Sequence, residues 1–543
     1  MAYAWRHLLA VGVAIAAVPC VWAQQASSQP QPGSAQPGAA QAGAPQPPSN
    51  PVGSAPAAGS SGNALTQRGW DIKPNIGLDF TQTDNVTLLA NGGKSDLITR
   101  LSPGVVIQGQ GGRARAYIDF KLERINYMNT EGRDRVQRAL NGMGTVELAD
   151  KWLYLDVSSR ISRQAVSAFA APASGSDSLN NNVVETRMYQ VAPYIQGRLL
   201  GSTDYKLRFD NTWYSMQNHG PMNNTVIQSV QGSLSGATGL SRLNWALDAN
   251  AQQSEYSNNA KNKTNALRGS LTYAFDPQFR FTVIGGQESN DYVDFKQQTS
   301  SITGWGFDWA PGERTLIKWT HENRYFGQGY NFNLTHRTAN TAWRISDTRD
   351  VMLRAPQSMT YARGTYFDLL NEQLRSTIPD DAERSAYIQT LLLTTGISPD
   401  AQVIGGFTTS RASVNHNREI SFTWTGVRNV IAVSAMDLDR RALGTGIGVP
   451  DDFDISQRIR QRGVNANWSH KLTSTAALAL MANKSYTSGN NSALDSDRLM
   501  YSATLSNKLG AYTSGSIGYR RTQVNGAIDY VENAVLASLL MVF

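Results

Sequence analysis

Cysteine is almost missing: the 543 residues contain one, Cys20. It lies in an amino-terminal stretch expected to be removed, and Pro19 spoils the small-residue context of a lipoprotein signal. The mature chain is therefore expected to carry no thiol and no disulfide. Charge is sparse at 17% of residues, and beyond residue 23 no apolar run is long enough for a helical membrane span. The histidines His7, His219, His321, His336, His416 and His470 are scattered without metal-ligand spacing, and no His-Glu-x-x-His occurs. Gly-x-Ser-x-Gly is missing too, since "GSLSG" places Leu234 where the nucleophile would stand. His336, beside Thr335 and Thr338, reads as a girdle or lumen residue. "SGSDSLNNN" (Ser174 to Asn182) fits no calcium loop and reads as a solvated external loop. No catalytic residue, cofactor site or metal site is expected. The formal charge of +7 falls to +6 without Arg6, a mild excess that says little about partners, and nucleic acid is not among those expected.

What is present begins with "MAYAWRHLLAVGVAIAAVPCVWA", where Arg6 and His7 precede the apolar run Leu8 to Val18, and Val21 and Ala23 suit cleavage. Residues 1–23 are expected to be a secretory signal peptide. Residues 24–67, rich in Gln, Pro, Ala and Gly, lack the large apolar groups needed to offset ordering entropy and read as a disordered periplasmic leader.

From residue 68 to 543 strict alternation takes over. In "ARAYIDFKLE" Ala114, Ala116, Ile118, Phe120 and Leu122 share one face, and Arg115, Tyr117, Asp119, Lys121 and Glu123 the other. "DYKLRFDNTW", "LNWALDANAQ" and "LRGSLTYAF" repeat the pattern, and no helices stand ready to cover the apolar faces. Lipid is the expected cover. The fold class is all-β: a transmembrane antiparallel β-barrel of the outer-membrane type, with about 22 strands and 18 to 22 within reach. Short turns at Ala149–Lys151, Asp276–Gln278, Pro311–Arg314 and Gly426–Arg428 alternate with longer segments, including Gln164–Glu185. With the amino terminus inside, parity puts the short turns in the periplasm and the long loops outside. The longest insertion, 354–409, is expected to be partly helical around "PDDAERSAYIQTLLLTTG", with Ile388, Leu391 and Leu392 on one face. Phe543, ending a run in which Val535, Ala537, Leu539 and Met541 alternate, is expected to close the barrel and to serve as the signal that barrel-assembly machinery reads.

The stretch "WAPGERTLIKWTHENRYFGQGYNFNLTHRTANTAWRISDTRDV" (Trp309 to Val351), with "TDNV" at Thr83 to Val86 and the "LLNEQL…PDDAERSAYIQ…TTG" insertion, resembles the PEP-CTERM system-associated outer-membrane β-barrel family. The resemblance runs from about Trp70 to Phe543. It implies an outer-membrane location and a role beside exosortase sorting and exopolysaccharide export, and it carries no catalytic residues to this chain. Expected partners are outer-membrane lipid, lipopolysaccharide, the barrel-assembly machinery, and an exopolysaccharide or its periplasmic export proteins. The alternatives are a general diffusion porin and a plugged structural or assembly barrel.

On the wet face the expected lumen lining is Arg115, Tyr117, Lys121, Lys206, Arg208, Arg268, Arg280 and Lys318, mixed with acids such as Asp210, Glu288 and Glu322. Tyr117 and Tyr214 are the expected sugar-stacking surfaces. In "SQRIRQRG", Arg458, Arg460 and Arg462 share the parity of Val464, Ala466 and Trp468, hence the outward face. Arginine is costly at mid-bilayer, so the ladder is expected at the outer rim on lipopolysaccharide phosphates, unless a bulge at Gly463 turns it inward.

Overall fold

The computed structural model describes residues 69–173, 175, 177–179, 181–217, 224–258, 260–291, 296–353, 388, 407, 409, 411–444 and 451–543. The expected signal peptide, 1–23, and the expected leader, 24–67, lie outside the described residues. So does most of the 354–409 insertion, of which Ile388 is helical and fully buried.

Alternation yields strands throughout. They are β1 (Gly69–Thr83), β2 (Asp96–Gln110), β3 (Ala114–Tyr127), β4 (Arg135–Ala149), β5 (Leu153–Ala165), β6 (Val183–Leu199) and β7 (Thr203–Met216). Next come β8 (Asn224–Ala237), β9 (Leu243–Tyr256), β10 (Lys261–Ala274), β11 (Phe279–Asn290), β12 (Gln298–Gly312), β13 (Thr315–Arg324), β14 (Gly327–Arg337) and β15 (Thr341–Leu353). The ring is completed by β16 (Ala412–Thr425), β17 (Asn429–Leu443), β18 (Arg458–Lys471), β19 (Ala476–Ser488), β20 (Ser496–Lys508), β21 (Thr513–Gly526) and β22 (Tyr530–Val542). A single turn of helix, α1 (Asp452–Ile455), precedes β18, capped by Asp451, whose side chain accepts from the Phe453 amide.

Each strand pairs antiparallel with its sequence neighbours, and β22 returns to β1, from Asn75↔Val542 to Thr83↔Ala534. The sheet is thus a closed 22-stranded barrel in which no strand lacks a partner on either side. Closure matters because lipid offers no hydrogen-bond partner to an open edge. At one end the connections between strands are two to five residues long, as at 150–152 and 313–314. At the other end stand the long ones, 84–95, 166–182, 354–411 and 444–457.

Side-chain burial follows the same two-residue period. Leu207, Leu267, Val283, Ile420, Val433 and Val464 are exposed although apolar, while polar groups on the opposite face, such as Thr186, Asp210, Glu288 and Asn483, are buried. In a closed barrel the buried face is the inside, so the apolar positions form the lipid belt. Near the short-turn end this belt turns aromatic: Phe275 lies 5.7 Å from Phe279, Phe279 6.0 Å from Phe307, and Trp343 4.4 Å from Phe422. This is the girdle expected where hydrocarbon meets headgroups. Phe543 sits at the same end, exposed, its amide donating to Pro74 O at 2.8 Å.

One loop corrects the sequence expectation. The segment between β5 and β6 does not stand outside as a solvated loop: Asp177, Ser178 and Asn182 are 7%, 3% and 7% exposed. It folds inward, onto residues of the inner wall. A polar composition signals water contact, but a wet lumen satisfies it as well as bulk solvent does.

The two faces of β7 give a direct test. Replacing Leu207 and Phe209 with Arg should cost roughly 2–4 kcal/mol per residue near the midplane and sharply reduce folded barrel in the outer membrane. Replacing Lys206 and Arg208 with Glu should leave that yield near wild type. Comparable yields from the two pairs in a heat-modifiability assay would overturn this assignment of faces.

Candidate functional site

The inner wall carries charges in pairs set by strand register. Lys121 lies 3.5 Å from Asp119, and Lys318 3.8 Å from Asp308. Arg208 lies 2.5 Å from Asp156 and 2.8 Å from Asp210, which also accepts from Gln190. Lys206 stands over the ring of Tyr194 at 4.8 Å, and that ring stacks on Tyr154 at 5.1 Å. Arg268, almost fully buried, donates to Glu322 at 2.9 Å. Arg115, Tyr117 and Arg280 share the inward parity of these residues on β3 and β11.

Several inward charges escaped the sequence reading. Arg324 bridges Glu288 at 2.6 Å and Asp350 at 2.7 Å, tying β11, β13 and β15 together. Its parity with Glu322 was the available signal. Arg100 meets Asp79 at 3.0 Å, and Arg520 meets Glu532 at 3.1 Å. Glu288, Arg520 and Glu532 are buried, and in such pairs removing one partner leaves an uncompensated charge; the pairs hold long side chains against the wall. Tyr214, expected to offer a stacking surface, does not. It is 2% exposed and packed on Met188 and Met216.

Across this wall lies the β5–β6 loop. Asn182 clasps its neck, accepting from the Ser167 amide at 2.8 Å and donating to Ser167 O at 2.9 Å. Beyond the neck, the Ala168 amide donates to Asp452 of α1 at 2.6 Å, and Phe169 packs with Phe407, Phe453 and Ile459. Pro172 O accepts from the Tyr530 hydroxyl and Asp177 O from the Tyr127 hydroxyl, both at 2.6 Å. Ser178 O accepts from Arg135 at 3.2 Å, and Leu179 packs on Val86, Ile98, Ile125 and Tyr127. All these wall residues face inward, so the loop lies within the barrel, over the arc from β5 through β1 to β18.

The Asp177 carboxyl is the loop's charged anchor. Burial works to raise it, but Arg520, Arg100 and a hydrogen bond from Thr81 outweigh burial and hold it below the ordinary carboxylate value. A small polar cavity is left between the anchor and the wall, lined in part by Asp79, Arg100, Thr504, Ser516 and Ser538.

On the outer wall, Arg458, Arg460 and Arg462 lie on the face of Val464, and Gly463 pairs with Met436 and Ser485 without a register shift. The ladder therefore stays outward. Arg458 forks onto Asp439 at 2.9 and 2.7 Å, and Arg460 onto Asp437 at 2.8 and 2.6 Å. Among the described residues no group of three or more His, Asp or Glu is placed to hold a metal ion.

No family model matches the sequence, and no curated protein does. Solved structures with a similar course include the ferric enterobactin receptor PfeA of Pseudomonas aeruginosa, at 10% identity and TM-score 0.47, covering 88% of this chain and 81% of that one. The siderophore receptor PirA of the same organism gives 9% and 0.44, covering 87% and 80%. The FrpB iron transporter of Neisseria meningitidis gives 9% and 0.47, covering 87% and 81%. At these values the likeness carries no functional argument; the barrel is established by its own strand pairing.

Asp177→Asn removes the anchor charge and should weaken loop docking by roughly 1–3 kcal/mol. The expected result is a folded barrel with higher conductance in planar bilayers and faster proteolysis within 166–182. A carboxyl held below its unfolded value contributes stability above that value and loses it as pH falls through the folded one. Wild-type docking should accordingly persist at neutral and mildly acidic pH and fail only below the ordinary carboxylate range.

Proposed function

We propose that the chain forms a conduit across the outer membrane, narrowed by its own β5–β6 loop, and that it serves an exopolysaccharide system linked to exosortase sorting. The observation that carries the conduit is the wide, closed barrel with a charged inner wall, crossed by a loop fastened through the carboxylates of Asp177 and Asp452, a few carbonyls and two apolar contacts. Mixed wall charges suit a hydrated solute, and Lys206, held over the buried ring of Tyr194, offers a cation to an acidic sugar. The export setting is supported by the resemblance in Trp309 to Val351, a stretch that folds as the end of β12 and the hairpins through β15. In the same reading Phe543 is met by the barrel-assembly machinery.

A second reading has its own support. The β5–β6 loop, Phe407 of the long insertion and α1 meet in one apolar cluster, and Ala165 bridges to Phe407. A cluster of this kind at the long-loop end suits a plugged structural barrel as well as a gated one. A general diffusion porin would have no need of such a closure.

Planar-bilayer recordings on the purified barrel separate these readings. A conduit should give discrete openings, and Lys206→Glu with Arg208→Glu should shift the reversal potential toward cation selectivity, because wall charge sets the local ion concentration. A barrel that stays silent even with Asp177→Asn would favour the structural role. A deletion strain should show reduced surface polysaccharide; unchanged polysaccharide would remove the export reading.

A further inference from the structure

The outer wall on the long-loop side of β15 to β18 carries charge where a lipid-facing surface would be expected to have little. Six arginines, Arg349, Arg418, Arg441, Arg458, Arg460 and Arg462, share it with three aspartates, Asp347, Asp437 and Asp439. Register places them side by side: Asp347 opposite Arg418, Arg418 opposite Asp437, Asp437 opposite Arg462, and Asp439 opposite Arg460. His416 joins from β16, 2.8 Å from Asp347 and from the Tyr330 hydroxyl.

Height decides what this surface meets. A strand of 15 residues such as β17 is roughly 50 Å long and, tilted by about 45°, rises roughly 36 Å. The apolar band of such a barrel is about 25 Å tall. Roughly 10 Å of strand therefore stands beyond the hydrocarbon, and the charged positions occupy the long-loop half of β17, above Val433 and Ile431, from Arg441 near the strand end to Asp437 roughly 14 Å below it. The upper positions stand at the level of the headgroups, and the long arginine side chains at the level of Asp437 can snorkel up to it.

The pairing within the patch is unequal. Arg458 and Arg460 use their forks on Asp439 and Asp437, which accounts for the two strongest acceptors. Arg418 gives its Nε to His416 at 3.0 Å and reaches Asp437 only at 3.5 Å, Arg441 reaches Asp439 only at 3.5 Å, the two remain 52% and 62% exposed, and Arg462 is exposed beside them. Carboxylates thus fix two guanidiniums as a rigid base, while three others keep donors free toward the outside. Three positive charges remain in excess after the aspartates are counted against the arginines.

We infer that this patch binds the phosphorylated headgroup of an outer-leaflet glycolipid, with Arg418, Arg441 and Arg462 as the phosphate contacts and Arg458 and Arg460 as positioning residues. Phosphate is the acceptor that a planar guanidinium fork matches in two hydrogen bonds, and acyl chains of the same molecule would lie on the apolar belt directly below. The site is independent of whether the barrel conducts.

The test uses the full-length barrel purified in detergent and native mass spectrometry with three probes: diphosphoryl lipid A, the same lipid dephosphorylated, and inorganic phosphate. Diphosphoryl lipid A should bind at least about tenfold more tightly than its dephosphorylated form, and inorganic phosphate should not compete at comparable concentration. Arg418→Gln, Arg441→Gln and Arg462→Gln combined should lose that preference while the barrel keeps its heat-modifiable mobility. Equal binding of the dephosphorylated lipid, or a preference that survives the triple change, would overturn the assignment. Effective competition by inorganic phosphate would instead indicate a free-anion site and overturn the lipid part. Should the triple variant fail to fold, the comparison of lipids on the wild-type barrel decides the question by itself.

Discussion

Everything in this structure depends on the pairing of β1 with β22. A sheet of this width cannot stand in lipid with an open edge, because each unpaired amide or carbonyl in hydrocarbon costs several kcal/mol. Once Thr83 faces Ala534 and Asn75 faces Val542, every strand has two neighbours and the sheet has an inside and an outside. The alternation of side chains then acquires its meaning: one set is delivered to lipid and the other to a shared interior.

The interior of so wide a ring cannot be filled by short side chains alone. It is instead lined with ion pairs that cross from strand to strand, such as Arg324 between Glu288 and Asp350, and roofed by loops that turn in from one end. The β5–β6 loop brings the carbonyls of Pro172, Asp177 and Ser178 to tyrosine and arginine donors of the wall. Because the donors are side chains, the loop is held without being woven into the sheet. Its position is thus separable from the stability of the barrel, which is what a movable constriction requires.

Much of this was legible in the residues. A period of two over segments such as Ala114 to Glu123 identifies the strands, and parity assigns Leu207 and Lys206 to opposite faces. What parity could not convey is register. Arg458 and Arg460 read as bare cations until β17 is laid beside β18 and Asp439 and Asp437 come within diagonal reach. The direction of a loop was equally hidden, since Gly, Ser, Asp and Asn are suited to bulk water and to a wet lumen alike. Tyr214 shows the same limit from the other side: its inward orientation followed from alternation, but the company of Met188 and Met216 comes from the neighbouring strand and its own.

The inward loop also sets an order of events. It leaves the wall between the fifth and sixth strands, yet its partners Ile459, Arg498, Arg520 and Tyr530 belong to the last quarter of the chain. Contacts separated by some hundreds of residues cannot form until the intervening strands are in place, since loop-closure entropy is repaid only by local neighbours already fixed. The loop can meet Tyr127, Arg135 and Ile125 once the first strands are in place, but its docking is complete only after the last strands have closed the ring. A chain that stalls before its last strands would leave in the membrane an unsealed sheet with its loop only half fastened, a leak the cell would have to clear.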